Sequence, residues 1–282
     1  MLKGLILAAA APEDWKEQRK REGLLLEETE GKTPVDFQKV LALLHLEKDE
    51  VLCLVETDRE ERIAREMGLF CLGYLNPDCP DEQLYGCRLL LEGFEEVDRQ
   101  LLEQVHTRAL GLSVQIAETR RLLIREMTLA DLDEIHTLYQ EEPTALFDPA
   151  PAVSRQEEER QMQAYIDYMY GMYQFGMWVV IEKASGRLIG RAGFGIADYL
   201  DFSEIDLGYL IGKAYRGKGY AREACRAVLE YGTKVLELPR ISAYIEEENI
   251  PSLRLIEKLG FRREREFICQ GKVLYRYLKD NL

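Results

Sequence analysis

None of the six cysteines (Cys53, Cys71, Cys79, Cys87, Cys225, Cys269) is spaced from another as Cys-x-x-Cys, and the three histidines (His45, His106, His136) are scattered. A chain without a Cys/His cluster offers no metal site of the usual kind. Four of the cysteines lie in or beside apolar runs, where a reduced thiol behaves as a small hydrophobe. That usage fits a reducing cytoplasm. No run reaches the ~18 apolar residues of a membrane span. The opening "MLKGLILAAAAPEDW" resembles a short secretory signal, but it has one flanking cation and reads equally as a buried first strand. Basic residues are the minority, 37 against 51 acidic, for a net charge of -14. This argues against nucleic acid as a partner; most of the excess serves solubility, and it weakly favours cationic ligands. There is no internal repeat and no low-complexity segment.

What is present is enough for two packed cores: 282 residues, 46% hydrophobic, a length that suggests about two domains. The first half alternates helix and strand. Phe37, Val40, Leu41 and Leu44 recur at helical spacing within 33–46. "VLCLV" (51–55) and "FCLGYL" (70–75) read as buried strands on either side of a charged helix, 58–68, that stops on Gly68. Strand, helix, strand with short connections implies a parallel βαβ unit. A further helix is expected over 94–110. A new pattern starts after a boundary between about 110 and 120, where Gly111 and the polar "ETRR" interrupt the apolar run. It comprises a strand at Leu122–Glu126, Thr128 as N-cap with Asp131 behind it, a proline-rich loop and helix, a hairpin (177–182 and 189–196), and a strand at 204–212.

That last strand runs into "YRGKGYA" (215–221) and then a helical pattern. Glycines lead into a helix N-terminus, where unpaired N–H groups and the helix dipole favour an anion. Gly217, Gly219, Tyr220 and Ala221 supply N–H donors, and Arg216, Lys218 and Arg222 supply cations. The stretch reads as a pyrophosphate cradle, or as an ordinary turn with solvated cations.

The element order of residues 121–282 resembles the GNAT superfamily of N-acetyltransferases. The loop fits that family's Arg/Gln-x-x-Gly-x-Gly/Ala signature at Arg216–Ala221. "RISAYIEEENIPSLRLIEKLGF" (240–261), with Asn249, Ser252, Glu257, Lys258, Gly260 and Phe261, is similar to the RimJ/RimL-like branch that acetylates ribosomal-protein N-termini. The resemblance implies acetyl-CoA as cosubstrate, no metal, and a primary amine as acceptor. It places the pantetheine arm along Leu210 and Ile211, with Gly212 permitting the neighbouring strand to splay away. It puts an oxyanion-stabilising N–H near Ile211 and a pantetheine contact at Asn249, which otherwise only turns the chain.

The attacking amine must lose a proton. Glu204 and Asp206 share one strand face with Gly208, and by analogy either is the base; otherwise they are ordinary carboxylates at a strand start. Glu246, Glu247 and Glu248 attract a cation or form a plain charged loop. Many relatives carry a tyrosine as acid seven residues after the Asn249 position; here that position is Ile256. Ser252 is then the candidate acid, or simply the N-cap of a helix over 253–259. Tyr165, Tyr168 and Met172, at helical spacing, are expected in the core, and the loop 143–153 sits where the family builds acceptor specificity.

Residues 32–77 faintly resemble the later half of haloacid dehalogenase-like (HAD) phosphatases, from Lys32 and Pro34 through the acid-rich turn Glu56, Thr57, Asp58. Ala8 and Ala10 stand where that family has its aspartates, so no phosphoaspartate forms and no phosphatase activity is expected. The expected architecture is therefore α/β: a degenerate HAD-like parallel domain (1–112), a linker (113–120), and a GNAT domain (121–282) with a mixed, mostly antiparallel sheet. The function implied is direct acetyl transfer to a protein N-terminus or a small amine, without a covalent acyl-enzyme. The alternative is a non-catalytic CoA-binding sensor or scaffold. A homodimer through strands in 267–278 fits either.

Overall fold

The computed structural model describes residues 1–29, 33–87, 89–141, 154–200, 202–269 and 271–280. Lys32 and the loop 143–153 lie outside them. The chain divides into two compact units, Met1–Val114 and Gln115–Leu282.

The first unit alternates β1 (Gly4–Leu7), α1 (Glu13–Arg21), β2 (Leu25–Glu28), α2 (Pro34–Leu44), β3 (Val51–Val55), α3 (Asp58–Glu66), β4 (Phe70–Tyr74), β5 (Leu90–Leu91) and α4 (Arg99–Ala109). Its sheet has the order β2-β1-β3-β4-β5, and every pairing is parallel. β3 is buried at all five positions, because a parallel strand covered on both faces has no polar side. Alternate residues feed two cores. Leu5, Leu7, Leu52, Leu54 and Leu72 meet Trp15 of α1 and Leu102 of α4. Ile6, Val51, Cys53 and Val55 meet Phe37 of α2 and Ile63 of α3. The helix expected from residue 94 begins only at Arg99, capped by Asp98, whose carboxylate accepts from the Leu101 N–H at 2.7 Å. Phe94 instead packs edge-on to Trp15, centroids 5.1 Å apart.

The acid-rich turn after β3 is spent on local structure. Glu56 accepts from the Ala10 N–H and the Asn76 amide, each at 2.9 Å. Thr57 caps α3 in a capping box with Glu60. Asp58 accepts from the N–H groups of Gln83 (3.1 Å) and Leu84 (2.7 Å).

The second unit carries β6 (Gln115–Glu118), β7 (Leu122–Arg125), α5 (Leu132–Glu141), α6 (Arg155–Tyr165), β8 (Met177–Glu182), β9 (Arg187–Ala197), β10 (Glu204–Ile211), α7 (Tyr220–Lys234), β11 (Arg240–Glu246), α8 (Ile250–Lys258), β12 (Arg262–Cys269) and β13 (Lys272–Asp280). The eight strands form one sheet, β12-β13-β11-β10-β9-β8-β7-β6, antiparallel except between β10 and β11. Residues 115–118, expected in a linker, are the edge strand β6, because Ile116 is buried and the segment pairs with β7. Helical spacing misplaced Tyr168 and Met172: both are exposed, at 53% and 65%, while Met169 and Tyr170 are buried. The segment Ile166–Met172 is π-helical, and i→i+5 bonding rotates the apolar stripe away from the 3.6-residue period.

β9 owes its close packing on β8 to Gly193. A Cβ there would lie 2.0 Å from the Gly176 carbonyl oxygen and 2.8 Å from the Met177 Cα, both backbone atoms. Gly193→Ala is therefore expected to cost about 2–3 kcal/mol, read in urea unfolding as a lower midpoint with an unchanged slope.

Candidate functional site

β10 ends at Ile211, and one turn later the backbone adopts left-handed conformations at Gly217 (φ 73°) and Gly219 (φ 82°). A side chain at either is strained by its backbone alone. A Cβ on Gly217 would meet nothing within 4 Å among the described residues, so the turn is open on that side. Gly219 is the N-cap of the fifteen-residue α7, and Tyr220 and Ala221 open the helix with its unpaired N–H groups. Arg216 turns back, its Nε donating to the Ile211 carbonyl at 2.9 Å. The Lys218 ammonium lies 5.4 Å from the Tyr215 ring centroid, and Arg222 is exposed.

The loop is braced by Thr119, from the segment expected to be a linker, and by Arg121, the first residue of the expected second domain. Arg121 donates from Nη1 to the Lys218 carbonyl (3.0 Å) and from Nε to Glu223 in the first turn of α7 (2.7 Å). Its guanidinium lies 4.3 Å from the Tyr220 ring centroid. The Thr119 hydroxyl and the Arg121 N–H donate to the other Glu223 oxygen at 2.7 and 3.0 Å. Tyr220 donates to Glu182 of β8. The only signal for this in the sequence was the polar "ETRR" itself.

Beside the loop, β10 and β11 are in register at one pair, Asp206 and Ser242. The Ser242 hydroxyl donates to the Ile205 carbonyl at 3.0 Å. Beyond that pair β10 remains in the ladder of β9 through Leu210 and Ile211, while β11 is carried by β13 through Glu246. The two parallel strands thus part on the side that leads to the glycine loop.

Glu204, Asp206, Gly208 and Leu210 share a face with Arg191, their registered neighbours on β9 being Ala197, Gly195, Gly193 and Arg191. The two carboxylates differ. Arg276 grips Glu204 through two bonds, Nε at 2.7 Å and Nη2 at 2.6 Å, and Tyr244 donates to it as well. Burial disfavours the Glu204 charge, but these donors outweigh it and hold its carboxyl below the usual range. Asp206 is buried at 4% exposure beneath that pair. Burial, reinforced by the neighbouring Glu204 charge, pushes it up to about 7. Glu246 and Glu247 are engaged elsewhere, by Lys272 at 2.8 Å and by the Tyr275 hydroxyl at 2.6 Å.

α8 starts at Ile250, earlier than expected, and its N-cap is Asn249, whose side chain accepts from the Ser252 N–H at 3.3 Å. Ser252 is therefore not the cap; it lies in the first turn of α8. Pro251, favoured at a first-turn position, moves the start forward. Ile256 is fully buried.

Residues 121–262 match the family model described as an acetyltransferase (GNAT) domain. The chain belongs to the GNAT family. It is similar to the uncharacterized N-acetyltransferase YnaD of Bacillus subtilis (strain 168), 34% identical over 151 residues, 53% of this chain and 84% of that one. It is likewise similar to the uncharacterized N-acetyltransferase p20 of Bacillus licheniformis, 30% identical over 146 residues, 52% of this chain and 82% of that one. A GnaT-family acetyltransferase from Bordetella pertussis shares the fold of the second unit, with a TM-score of 0.52 and 24% identity over 59% of this chain and 99% of that one. In this GNAT chain the loop, the parted strands and the two carboxylates lie along a single strand, β10, and the turn that follows it.

Asp206 also couples stability to pH. Its pKa is 3.8 unfolded and about 7 folded, so between those values the native state keeps a proton that the unfolded state has lost. Stability therefore falls as pH rises from about 4 to about 7 and levels off above. Asp206→Asn is expected to flatten that fall, the difference reaching a few kcal/mol above pH 7, as read from urea melts at pH 5 and pH 8.

Proposed function

We propose that this chain is an N-acetyltransferase that moves an acetyl group from acetyl-CoA directly to a primary amine, a protein N-terminus or a small molecule, with Asp206 as general base. The observation that carries the proposal is the parting of β10 from β11 beside a glycine-lined helix N-terminus, with a carboxylate poised near neutrality on the same strand.

The residues fit the cosubstrate. The N–H groups at Gly217–Ala221, with Lys218 and Arg222, suit a diphosphate, and the freed edge of β10 at Leu210 and Ile211 suits a pantetheine amide chain. An N–H near Ile211 is suited to polarise the thioester carbonyl. Acetyl-CoA supplies the activated acyl group, and this chain's own residues do the rest. Asp206, half ionised near pH 7, takes a proton from the incoming ammonium; a base works best when its pKa is close to the working pH. Glu204, locked by Arg276 and Tyr244, is the lesser base and keeps Asp206 raised. The buried face around both excludes water and favours the amine over hydrolysis.

The test is thiol release from acetyl-CoA with the purified full chain across peptides of varied N-termini, polyamines, amino acids and aminoglycosides. Release with one class, rising with pH through about 7, is the expected outcome. Asp206→Asn should lower kcat about 10²-fold or more and abolish that pH limb, whereas Glu204→Gln should retain a limb at altered pH. Saturable acetyl-CoA binding with no release from any amine would defeat the catalytic reading and favour a sensor. Equal rates for Asp206→Asn and wild type would remove the base.

A further inference from the structure

If transfer proceeds as proposed, the sulfur that leaves the acyl carbon needs a proton, and α8 does not offer a tyrosine for it. Ile256, where many relatives carry that tyrosine, is fully buried and apolar. A tyrosine does stand close by on another element. Tyr209 lies on β10 within the part that has left β11, one residue before Leu210. Strand alternation puts it on the face opposite Asp206. Its hydroxyl oxygen is cut off from solvent and has no hydrogen-bond partner among the described residues. Ser252 of α8 and Cys225 of α7 flank it. Ser252 stands near it without meeting hydrogen-bond geometry.

An unpartnered buried hydroxyl costs stability, so its presence calls for a reason. Burial also raises the Tyr209 phenol above its ordinary value, which keeps it protonated across the working range. We propose that Tyr209 is the proton donor to the leaving sulfur, with Ser252 as the relay that reprotonates it. This rests on the transfer reading above and assigns the second proton of that reaction. The balance is as follows. Asp206 takes one proton from the ammonium, and the amine nitrogen bonds to the acyl carbon. The carbon–sulfur bond breaks with its electron pair going to sulfur. Tyr209 gives its proton to that sulfur. The nitrogen gives up its remaining excess proton to water, and the tyrosinate regains one from water through Ser252. Asp206 later releases its proton, so one proton is lost per ammonium acetylated.

Tyr209→Phe tests this cleanly because it deletes only the orphan oxygen. Three readouts are expected together. The variant's kcat falls about 10²-fold, with the amine KM within about threefold. Its melting temperature stays level or rises, since no hydrogen bond is lost. The thiol of free CoA bound to the protein, titrated by thiolate ultraviolet absorbance, ionises about tenfold less readily than on the wild type, because a donor to the thiolate has gone. An unchanged kcat with an unchanged thiol titration would overturn the proposal. So would a loss of kcat accompanied by a falling melting temperature and an unaltered titration, which would mark a structural role. A large loss in Ser252→Ala with none in Tyr209→Phe would return the acid to Ser252. The titration needs no acceptor, so it decides for Tyr209 even if wild-type protein acetylates no amine on the panel, the result that would instead defeat the transfer reading.

Discussion

A single backbone pair, Asp206 with Ser242, joins the only two parallel strands among the described residues of the second unit, and the arrangement of the candidate site depends on it. Each of those strands is held on its outer side by an antiparallel partner, β9 for β10 and β13 for β11. Because those outer ladders satisfy the backbone, the inner edges can part without collapse of the sheet. An unpaired strand edge is normally a liability. Here it opens next to the N-terminus of α7.

The strand also sorts chemistry by parity. On one face Glu204 and Asp206 stand side by side; Arg276 and Tyr244 offset the burial of the first, whereas burial and the Glu204 charge together raise the second. Like charges so close cannot both ionise freely, and the guanidinium decides which of them does. The opposite face presents Tyr209 to α7 and α8. Asp206 and Tyr209 are three positions apart, an odd separation, so strand alternation sets them on opposite faces. The loop, in turn, is fixed by Arg121 and Glu223, which tie the β6–β7 turn to the first turn of α7. The cations nearest the cradle are thereby divided between those that build it and those, Lys218 and Arg222, that remain at its surface. In the first unit the comparable acidic turn has no such surplus, because Glu56, Thr57 and Asp58 all serve as backbone acceptors or caps.

Much of this was legible in the chain. Apolar runs marked the buried strands of both units, and the two glycines ahead of a helical pattern marked the turn before α7, since left-handed backbone leaves few residue choices. The alternation of Glu204, Asp206 and Gly208 placed both carboxylates on one face. Three errors share a cause. Residues 113–120 looked like a linker, Ser252 read as a helix N-cap where it was not taken as the acid, and Tyr168 with Met172 looked like core. In each, local composition was read correctly but the partner was distant: β7 and Glu223 for the first, Pro251 with Asn249 shifting the helix start for the second, and a π-helical turn breaking the period for the third.

The sequence by itself determined most of the element order, the family and the glycine turn ahead of α7, because periodicity and glycine chemistry act over a few residues. Only the tertiary structure decided which carboxylate burial raises and which hydroxyl, among the described residues, is left without a partner. Those depend on Arg276 and Tyr244 reaching Glu204 across 72 and 40 residues of chain, and on burial, which no local pattern encodes.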